Sequence, residues 1–242
     1  MPELLVVVPT YNELESLPGV IARIRAAVPD ADVLIVDDSS PDGTGDLADS
    51  LSDNRVSVLH RPGKDGLGRA YLAGFERAVS GGYSFVAEID ADGSHDPAEL
   101  PAMLALAAGG ADLVIGSRWI PGGAVRNWPW LRRAISRAGN GYSRFMLRSR
   151  IADITAGFRV FRTAALENLD LAAVSSQGYC FQVEMAWRLE RSGAIVVEHP
   201  ITFVERAKGR SKMHLGIVTE ALLRVTGWGL TAGLPKSSVR RS

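Results

Sequence analysis

The first half of the chain alternates short apolar runs with longer amphipathic stretches. Residues 4–8, 33–36 and 56–59 are apolar runs of the length typical of buried parallel strands. Helical spacing after the first and the third of these runs predicts amphipathic helices that end near Ala27 and Ser80. Strands that alternate with helices in this way predict an α/β fold, in which a mostly parallel sheet is flanked by helices.

A fourth apolar run, residues 85–89, leads into two aspartates, Asp90 and Asp92. A parallel strand that ends here places both carboxylates at the carboxyl edge of the sheet, where open α/β sheets bind ligands. Mg²⁺ and Mn²⁺ prefer carboxylate oxygens, so the pair is a candidate metal site beside a phosphorylated ligand. An aspartate-rich turn that only precedes the next helix is the alternative interpretation.

Other predicted strands also end in acidic residues. Glu13 follows the first strand, and Asp37 and Asp38 end the second. Because the carboxyl ends of parallel strands meet at one edge of a sheet, we expect these side chains to lie near Asp90 and Asp92. Folding alone does not require such a concentration of carboxylates, so the pattern favours a binding site.

The second half of the chain is less regular. The strands and helices expected there are, in chain order, residues 112–115, 179–192, 195–197, 202–204 and 215–228. No linker rich in proline, glycine or serine divides the chain, so residues 1–232 are predicted to form one domain. Residues 233–242 are predicted to be a disordered tail.

Residues 128–150 combine helical spacing with positive charge. Eight arginines and no acidic residue lie between Leu113 and Ala152. Arginines interspersed with aromatic and aliphatic residues are typical of a helix that lies on an anionic membrane surface. A helix packed on the sheet with a solvated arginine face is the alternative, and it is at least as common.

The composition limits the classes of function. Of the 242 residues 46% are apolar, and the formal net charge is zero, which argues against nucleic-acid binding driven by overall charge. The single cysteine, Cys180, excludes an internal disulfide and is expected to be a small core residue. No apolar stretch reaches the roughly 18 residues of a transmembrane helix. We therefore expect a protein that is soluble by itself in a reducing compartment such as the cytoplasm, where any contact with the cytoplasmic face of a membrane is peripheral.

Residues 63–68, Gly-Lys-Asp-Gly-Leu-Gly, invite comparison with phosphate-binding loops. Their spacing matches neither the Walker motif nor the dinucleotide fingerprint, so a tight strand-to-helix turn near the site is the favoured interpretation. The loop after the first strand also lacks a glycine fingerprint, which argues against a hydride-transferring enzyme.

Several motifs resemble those of a known family. Val-Pro-Thr-Tyr-Asn-Glu, Val-Asp-Asp-Ser-Ser-Pro-Asp-Gly-Thr and Asp-Ala-Asp-Gly-Ser-His-Asp-Pro stand at residues 8–13, 36–44 and 90–97. They resemble motifs of the inverting family 2 glycosyltransferases, which have the GT-A fold. Four further motifs are similar to those of polyprenol-phosphate (dolichol-phosphate) mannosyltransferases, at residues 116–119, 153–159, 178–185 and 203–212. The resemblance covers about residues 4–228.

The resemblance implies roles for particular residues. Those that would surround the guanine nucleoside of GDP-mannose are Pro9, Tyr11, Glu13, Val36 and Asp38. Those that would hold the diphosphate are Asp90, Ala91 and Asp92, with Asp90 and Asp92 binding Mg²⁺ or Mn²⁺. Those that would contact phosphate groups of donor or acceptor are Arg118, Arg206 and Lys212. Asp92 and Arg118 are the residues expected to serve catalysis most directly.

The implied reaction transfers mannose from GDP-mannose to a polyprenyl phosphate, with inversion at the sugar carbon. The acceptor phosphate has a second pKa of about 6 and is already a dianion near neutral pH, so it needs orientation more than a strong base. We expect Arg118 first, and Arg132 second, to grip its oxygens bidentately. A UDP-glucose-dependent enzyme and a non-catalytic nucleotide-sugar-binding protein are the alternatives. Membrane contact is expected through the basic helix or a membrane-protein partner.

Overall fold

The computed structural model describes residues 3–176, 178–205, 215–231 and 239–241. The strands, numbered along the chain, are β1 (Leu4–Thr10), β2 (Asp32–Asp37), β3 (Val56–His60), β4 (Phe85–Glu88), β5 (Leu113–Ser117), β6 (Ala124–Arg126), β7 (Arg159–Arg162), β8 (Val196–Pro200), β9 (Thr202–Val204) and β10 (Val239–Arg241). The helices are α1 (Leu17–Ala27), α2 (Thr44–Leu51), α3 (Leu67–Ser80), α4 (Leu100–Ala108), α5 (Trp130–Leu147), α6 (Thr163–Glu167), α7 (Gly178–Ser192) and α8 (Leu215–Thr231).

Eight of these strands form one sheet, in the order β10-β8-β5-β7-β4-β1-β2-β3. Neighbouring strands are parallel except at β7, which is antiparallel to both β4 and β5. Strands β6 and β9 pair with each other in a separate two-stranded sheet. The predicted α/β fold with a mostly parallel sheet is therefore confirmed.

Strand β1 shows why the apolar runs of the sequence are continuous rather than alternating. All seven of its residues are buried, because helices cover both faces of the sheet. Leu5 and Val7 pack into the apolar layer on one face, while Val6 and Val8 pack into the layer on the other. The two layers hold the strand ends at fixed positions along one edge.

Strand β7 was missed in the sequence because it does not form an apolar run. Its four residues begin with Arg159 and end with Arg162, and Arg159 is fully buried. The strand lies between β4 and β5 inside the sheet, and Phe161 and Val160 pack into the apolar layers on its two faces. It fixes the segment that precedes it, residues 152–157, beside the ends of β4 and β5.

Three residues of the predicted disordered tail, residues 233–242, form a strand. Val239–Arg241 forms β10, which pairs in parallel with β8 from Val196 to Glu198. The edge of β8 offers backbone hydrogen-bonding groups that another strand satisfies. The other tail residues lie outside the described part of the chain.

The structure also bears on the predictions for Cys180 and for membrane-spanning segments. Cys180 is buried on α7, and burial raises the pKa of its thiol to about 12, as expected for a core residue. Among the described helices, none combines the length and the apolarity that a bilayer crossing requires.

Candidate active site at the carboxyl edge of the sheet

The acidic strand ends predicted to lie together do share one edge. Strands β2, β1 and β4 are consecutive and parallel in the sheet, so the residues that follow them emerge on the same side. Asp38 follows β2, Glu13 lies in the loop after β1, and Asp90 and Asp92 follow β4. This arrangement supports a ligand site at the carboxyl edge.

The loops after β1 and β2 are tied to each other. The Asn12 N–H donates to Ser40 Oγ at 3.1 Å, and the Glu13 N–H donates to Thr44 Oγ1 at 3.0 Å. Asn12 and Ser39 have φ angles of 60° and 53°, in the left-handed region that few residues other than glycine adopt. Such strain persists only where surrounding bonds hold it, and it is common at ligand sites.

A carboxylate, an aromatic ring and two cations line this part of the edge. Arg61 Nη1 donates to Asp38 Oδ1 at 2.5 Å, and Lys64 Nζ lies 4.2 Å from the centroid of the Tyr11 ring. Burial raises the pKa of Asp38, although the Arg61 guanidinium acts in the opposite direction. Lys64 belongs to the glycine-containing loop, so that loop does lie near the site. These groups suit the ring and polar edge of a nucleotide base.

Three of the predicted contact residues offer only their backbone. Pro9, Val36 and Ala91 are buried, and the side chains of Val36 and Ala91 belong to the apolar core. Their predicted contacts with a nucleoside or diphosphate stay predictions, and backbone atoms would have to make them. The cause is the central position of β1, β2 and β4 between two layers of helices.

The turn after β4 fixes both metal-site candidates. The Tyr71 hydroxyl donates to Asp90 Oδ1 at 3.0 Å, and the Ser94 N–H donates to Asp92 Oδ1 at 3.0 Å. Gly93, with a φ of 73°, provides the left-handed residue that this turn requires. Burial, together with nearby carboxylates, raises the pKa of Tyr71 well above its usual value, so it remains a donor.

Two residues that orient Asp90 were not predicted to belong to the site. Tyr71 projects from α3 and is fully buried. His95 Nε2 lies 3.6 Å from Asp90 Oδ2, and its ring packs against the rings of Phe158 and Phe203. His95 stands in the motif at residues 90–97, but the motif assigned it no role. Contacts made between distant elements produce this support, and no local spacing reveals them.

A divalent metal fits the donor set at this turn. Asp90 and Asp92 are partly exposed carboxylates, and the described residues contain no group of three or more histidine, cysteine or acidic side chains that resembles a complete metal cage. Mg²⁺ is commonly held by one or two carboxylates, with substrate phosphates and water as further ligands. Two partly exposed carboxylates, one residue apart in the same turn, fit a metal that arrives with a diphosphate.

Arg118 is buried and bonded to a carboxylate, which the sequence did not indicate. It follows β5, is 7% exposed, and its Nε and Nη2 atoms each donate to a carboxylate oxygen of Asp153 at 2.7 Å. Asp153 occupies this edge of the guanidinium, so a ligand cannot use it, and the predicted bidentate contact of Arg118 with a phosphate stays a prediction. Arg118 nevertheless lines a cavity of about 560 Å³.

That cavity lies between α5 and the segment after β5. Arg133 and Arg137 of α5 line it together with Arg118 and Trp119, and the Arg137 guanidinium lies 4.9 Å from a ring centroid of Trp119. Arg132, the second predicted phosphate ligand, does not line it. Three guanidinium groups around one cavity favour an anionic ligand.

Arg132 instead joins two elements beside the cavity. It forms an ion pair with Glu205, and its guanidinium lies 4.3 Å from the ring centroid of Trp128. Arg206 and Lys212, the other predicted phosphate contacts, lie outside the described residues. The structure thus brings Tyr11, Asp38 and the aspartate pair to one edge and adds an arginine-lined cavity.

Comparison with known proteins agrees with this architecture. The model of the family described as "Glycosyl transferase family 2" matches residues 5–170. The chain belongs to glycosyltransferase family 2. The family expected from the sequence motifs is therefore confirmed.

Two relatives within family 2 match nearly the whole chain. A polyprenol monophosphomannose synthase of Mycolicibacterium smegmatis is 52% identical over 236 residues, which cover 96% of this chain and 89% of the relative. An undecaprenyl-phosphate mannosyltransferase of Micrococcus luteus is 56% identical over 230 residues, which cover 94% of each protein.

Solved structures with lower identity share the fold. A mannosyltransferase of Pyrobaculum calidifontis, in complex with GDP-Man and Mn²⁺, has a TM-score of 0.64 at 17% identity, over 97% of this chain and 66% of its own. Glucosyl-3-phosphoglycerate synthase of Mycobacterium tuberculosis, in complex with Mn²⁺, UDP and phosphoglyceric acid, has a TM-score of 0.67 at 20% identity, over 93% and 79%.

Proposed function

We propose that this protein transfers mannose from GDP-mannose to the phosphate of a polyprenyl phosphate, which yields polyprenyl phosphate mannose and GDP with inversion at the sugar carbon. The observation that carries the proposal is the identity of more than half of the residues to two relatives whose names specify mannose and a polyprenyl phosphate. The acidic edge and the arginine-lined cavity provide the two binding regions that such a reaction needs.

The donor occupies the carboxyl edge of the sheet in this proposal. Tyr11, with Lys64 against its ring, and the carboxylates Glu13 and Asp38 surround the guanine nucleoside. Carboxylate oxygens accept hydrogen bonds from the N–H groups of guanine, and an aromatic ring provides a stacking surface. Pro9, Val36 and Ala91 contribute backbone atoms beneath the nucleoside and the diphosphate.

The leaving-group end lies at the turn after β4. Asp90 and Asp92 would hold Mg²⁺ or Mn²⁺ together with the diphosphate, and Tyr71 and the Ser94 N–H fix the two carboxylates for that task. When bound, such a metal stabilises the negative charge that develops on the departing GDP. The presence of Mn²⁺ in two solved structures of the same fold supports this assignment.

The acceptor phosphate binds in the arginine-lined cavity in this proposal. A phosphate monoester with a second pKa of about 6 carries two negative charges near neutral pH, so no strong general base is needed. Arg118, Arg133 and Arg137 provide the opposite charge and orient the phosphate for attack. Arg206 and Lys212, which lie outside the described residues, are proposed to contact phosphate groups of donor or acceptor.

The surface of α5 and α8 supports peripheral membrane contact. Trp130 and Phe145 of α5 are 77% and 81% exposed, and Leu223 and Leu230 of α8 are 76% and 79% exposed. The two helices pack together, and Gly229 of α8 lies against the backbone of α5. Exposed apolar side chains beside arginines favour an anionic membrane as the occupant of this surface.

An assay with labelled nucleotide sugars tests the proposed reaction. Purified protein with Mg²⁺ or Mn²⁺ is incubated with a short polyprenyl phosphate and either GDP-mannose or UDP-glucose, and the lipid product is measured. We expect mannosyl lipid to form, and UDP-glucose to compete poorly. Preferred transfer of glucose would contradict the donor assignment. Binding of GDP-mannose without any product would instead indicate a nucleotide-sugar-binding protein.

A further inference from the structure

A pair of hydrogen bonds connects the arginine-rich helix α5 to the segment that holds Arg118. Asn140 of α5 is 3% exposed, and its Nδ2 donates to Thr155 Oγ1 at 3.0 Å. The Thr155 N–H donates in return to Asn140 Oδ1 at 3.3 Å. Arg118 Nη2 donates to the same Thr155 Oγ1 at 3.0 Å, so one hydroxyl group bonds to both the helix and the guanidinium.

Hydrogen bonds to two strands of the central sheet hold the segment that carries Thr155 in place. Glu198 of β8 accepts hydrogen bonds from the N–H groups of Ala152 and Asp153 at 2.8 and 2.9 Å. Arg159 of β7 donates to the carbonyl oxygen of Ile154 at 2.9 Å. Because these partners belong to the central sheet, the Thr155 hydroxyl is a fixed point against which α5 is placed.

Asn140 lies on the stripe of α5 that contributes to the cavity. Arg133 and Arg137 precede it by seven and three residues, a spacing that places all three on one side of a helix. A shift of α5 against Thr155 therefore moves both arginines relative to Arg118. The bonds of the Thr155 hydroxyl therefore connect the helix that carries Arg133 and Arg137 with Arg118.

We propose that Asn140 and Thr155 are positioning residues that set the spacing of the guanidinium groups around this cavity. Neither residue lines the cavity itself. Their effect passes through Arg118 on one wall and through Arg133 and Arg137 on the other. This inference rests on the proposed function, in which the cavity takes the acceptor phosphate.

Substitution of Thr155 provides the direct test. Thr155→Val keeps the shape of the side chain but removes the hydroxyl, while Thr155→Ser keeps the hydroxyl. We expect Thr155→Val to raise the KM for polyprenyl phosphate about tenfold, as for loss of a hydrogen bond to a charged group, and to leave the KM for GDP-mannose unchanged. Thr155→Ser is expected to behave like the wild type.

Thr163→Val is the matched control. Thr163 is also a buried threonine, at the start of α6, and its hydroxyl has no hydrogen-bond partner within the described chain. We expect this variant to leave both KM values unchanged. A rise in the acceptor KM as large as that of Thr155→Val would show a general effect of threonine loss and would overturn the inference.

A double variant tests the connection to α5. If Asn140 acts through the Thr155 hydroxyl, Asn140→Ala and Thr155→Val each raise the acceptor KM, and the double variant raises it no further than the larger single effect. Additive effects would overturn the inference, as would an unchanged acceptor KM in Thr155→Val with wild-type thermal stability. Absence of lipid product from the wild-type protein would instead contradict the proposed function, so the two failures are distinguishable.

Discussion

Asp92 is the residue on which the leaving-group assignment depends most directly. We expect Asp92→Asn to reduce mannosyl transfer by at least about a hundredfold, because an amide offers a neutral oxygen where the metal requires a charged one. Binding of Mn²⁺ in the presence of GDP, measured by titration calorimetry, should weaken in parallel.

Asp96→Asn is the control for that substitution. Asp96 lies four residues further along, where its carboxylate caps a short helix and pairs with Arg23 on the surface. We expect this variant to retain transfer and Mn²⁺ binding. Undiminished transfer by Asp92→Asn, or full wild-type activity in the presence of EDTA, would remove the metal role from this turn.

Glu190 illustrates a buried charge that opposes folding at high pH. It is 1% exposed on α7, accepts a hydrogen bond from the Arg150 N–H, and burial raises the pKa of its carboxyl. As the pH rises above the usual value near 4.5, the unfolded chain ionises first, so stability is progressively lost until the pH exceeds the folded pKa.

Glu190→Gln removes this dependence while keeping an oxygen for the Arg150 N–H. We therefore expect the variant to gain free energy of unfolding relative to the wild type, and to gain more at pH 8 than at pH 5. Urea denaturation at the two pH values measures the difference. An equal gain at both values, or a larger one at pH 5, would contradict the assigned direction of the shift.

At the scale of elements, close contact between α3 and β1 depends on Gly74. A Cβ atom added there would lie 2.5 Å from Val7 Cγ1, in the interior strand β1 of the sheet. We expect Gly74→Ala to lower the free energy of unfolding by about 1–3 kcal/mol, because the helix or the strand must move to admit the methyl group. Chemical denaturation measures the loss.

Gly139→Ala provides the comparison within a helix. Gly139 is an exposed residue of α5, and an added Cβ would meet nothing within 4 Å. Alanine restricts the unfolded chain and favours the helix, so this variant should gain about 0.4–1 kcal/mol. Similar changes in both variants would show that helix propensity, rather than packing on β1, governs Gly74.

Element contacts also explain which site residues were predictable. Asp90 and Asp92 follow an apolar run, so their position at the edge could be inferred from the local pattern. Tyr71 and Asp153 carry no such pattern, since their roles arise only when α3 and residues 152–157 pack beside the strand ends. Arg118 was predicted at the correct strand end, but its partner Asp153 is 35 residues away in the chain.

At the scale of the whole molecule, the distribution of charge matters more for membrane binding than the net charge does. The formal net charge is zero, yet eight arginines and no acidic residue lie between Leu113 and Ala152. Because α5 lies in this region beside the apolar residues of α8, we expect binding to vesicles that contain anionic lipid, and much weaker binding to neutral vesicles. Added salt should weaken the binding through screening.

Substitution of the exposed aromatic residues tests which surface makes this contact. Trp130→Ser combined with Phe145→Ser should reduce co-sedimentation with anionic vesicles about tenfold or more, because two large apolar side chains are lost from the interface. Leu14→Ser, at an exposed leucine in the loop after β1, should leave binding unchanged. No salt-sensitive binding by the wild type would favour a membrane-protein partner instead.

The sequence by itself determined the α/β class, the parallel strands around β1, and the edge at which the carboxylates gather. These features follow from local apolar periodicity and from the rule that parallel strands end at one edge. The family motifs then pointed to the class of chemistry, and comparison over nearly the whole chain confirmed the family.

Only the tertiary structure decided which arginines face the cavity and which residues hold them. The sequence favoured Arg118 and Arg132, whereas the fold places Arg133 and Arg137 beside Arg118 and pairs Arg132 with Glu205. The antiparallel strand β7 and the hydrogen bond from Asn140 to Thr155 likewise could not be predicted from the sequence. The physical reason is that long-range packing sets the direction of each side chain, and local spacing along the chain does not contain that information.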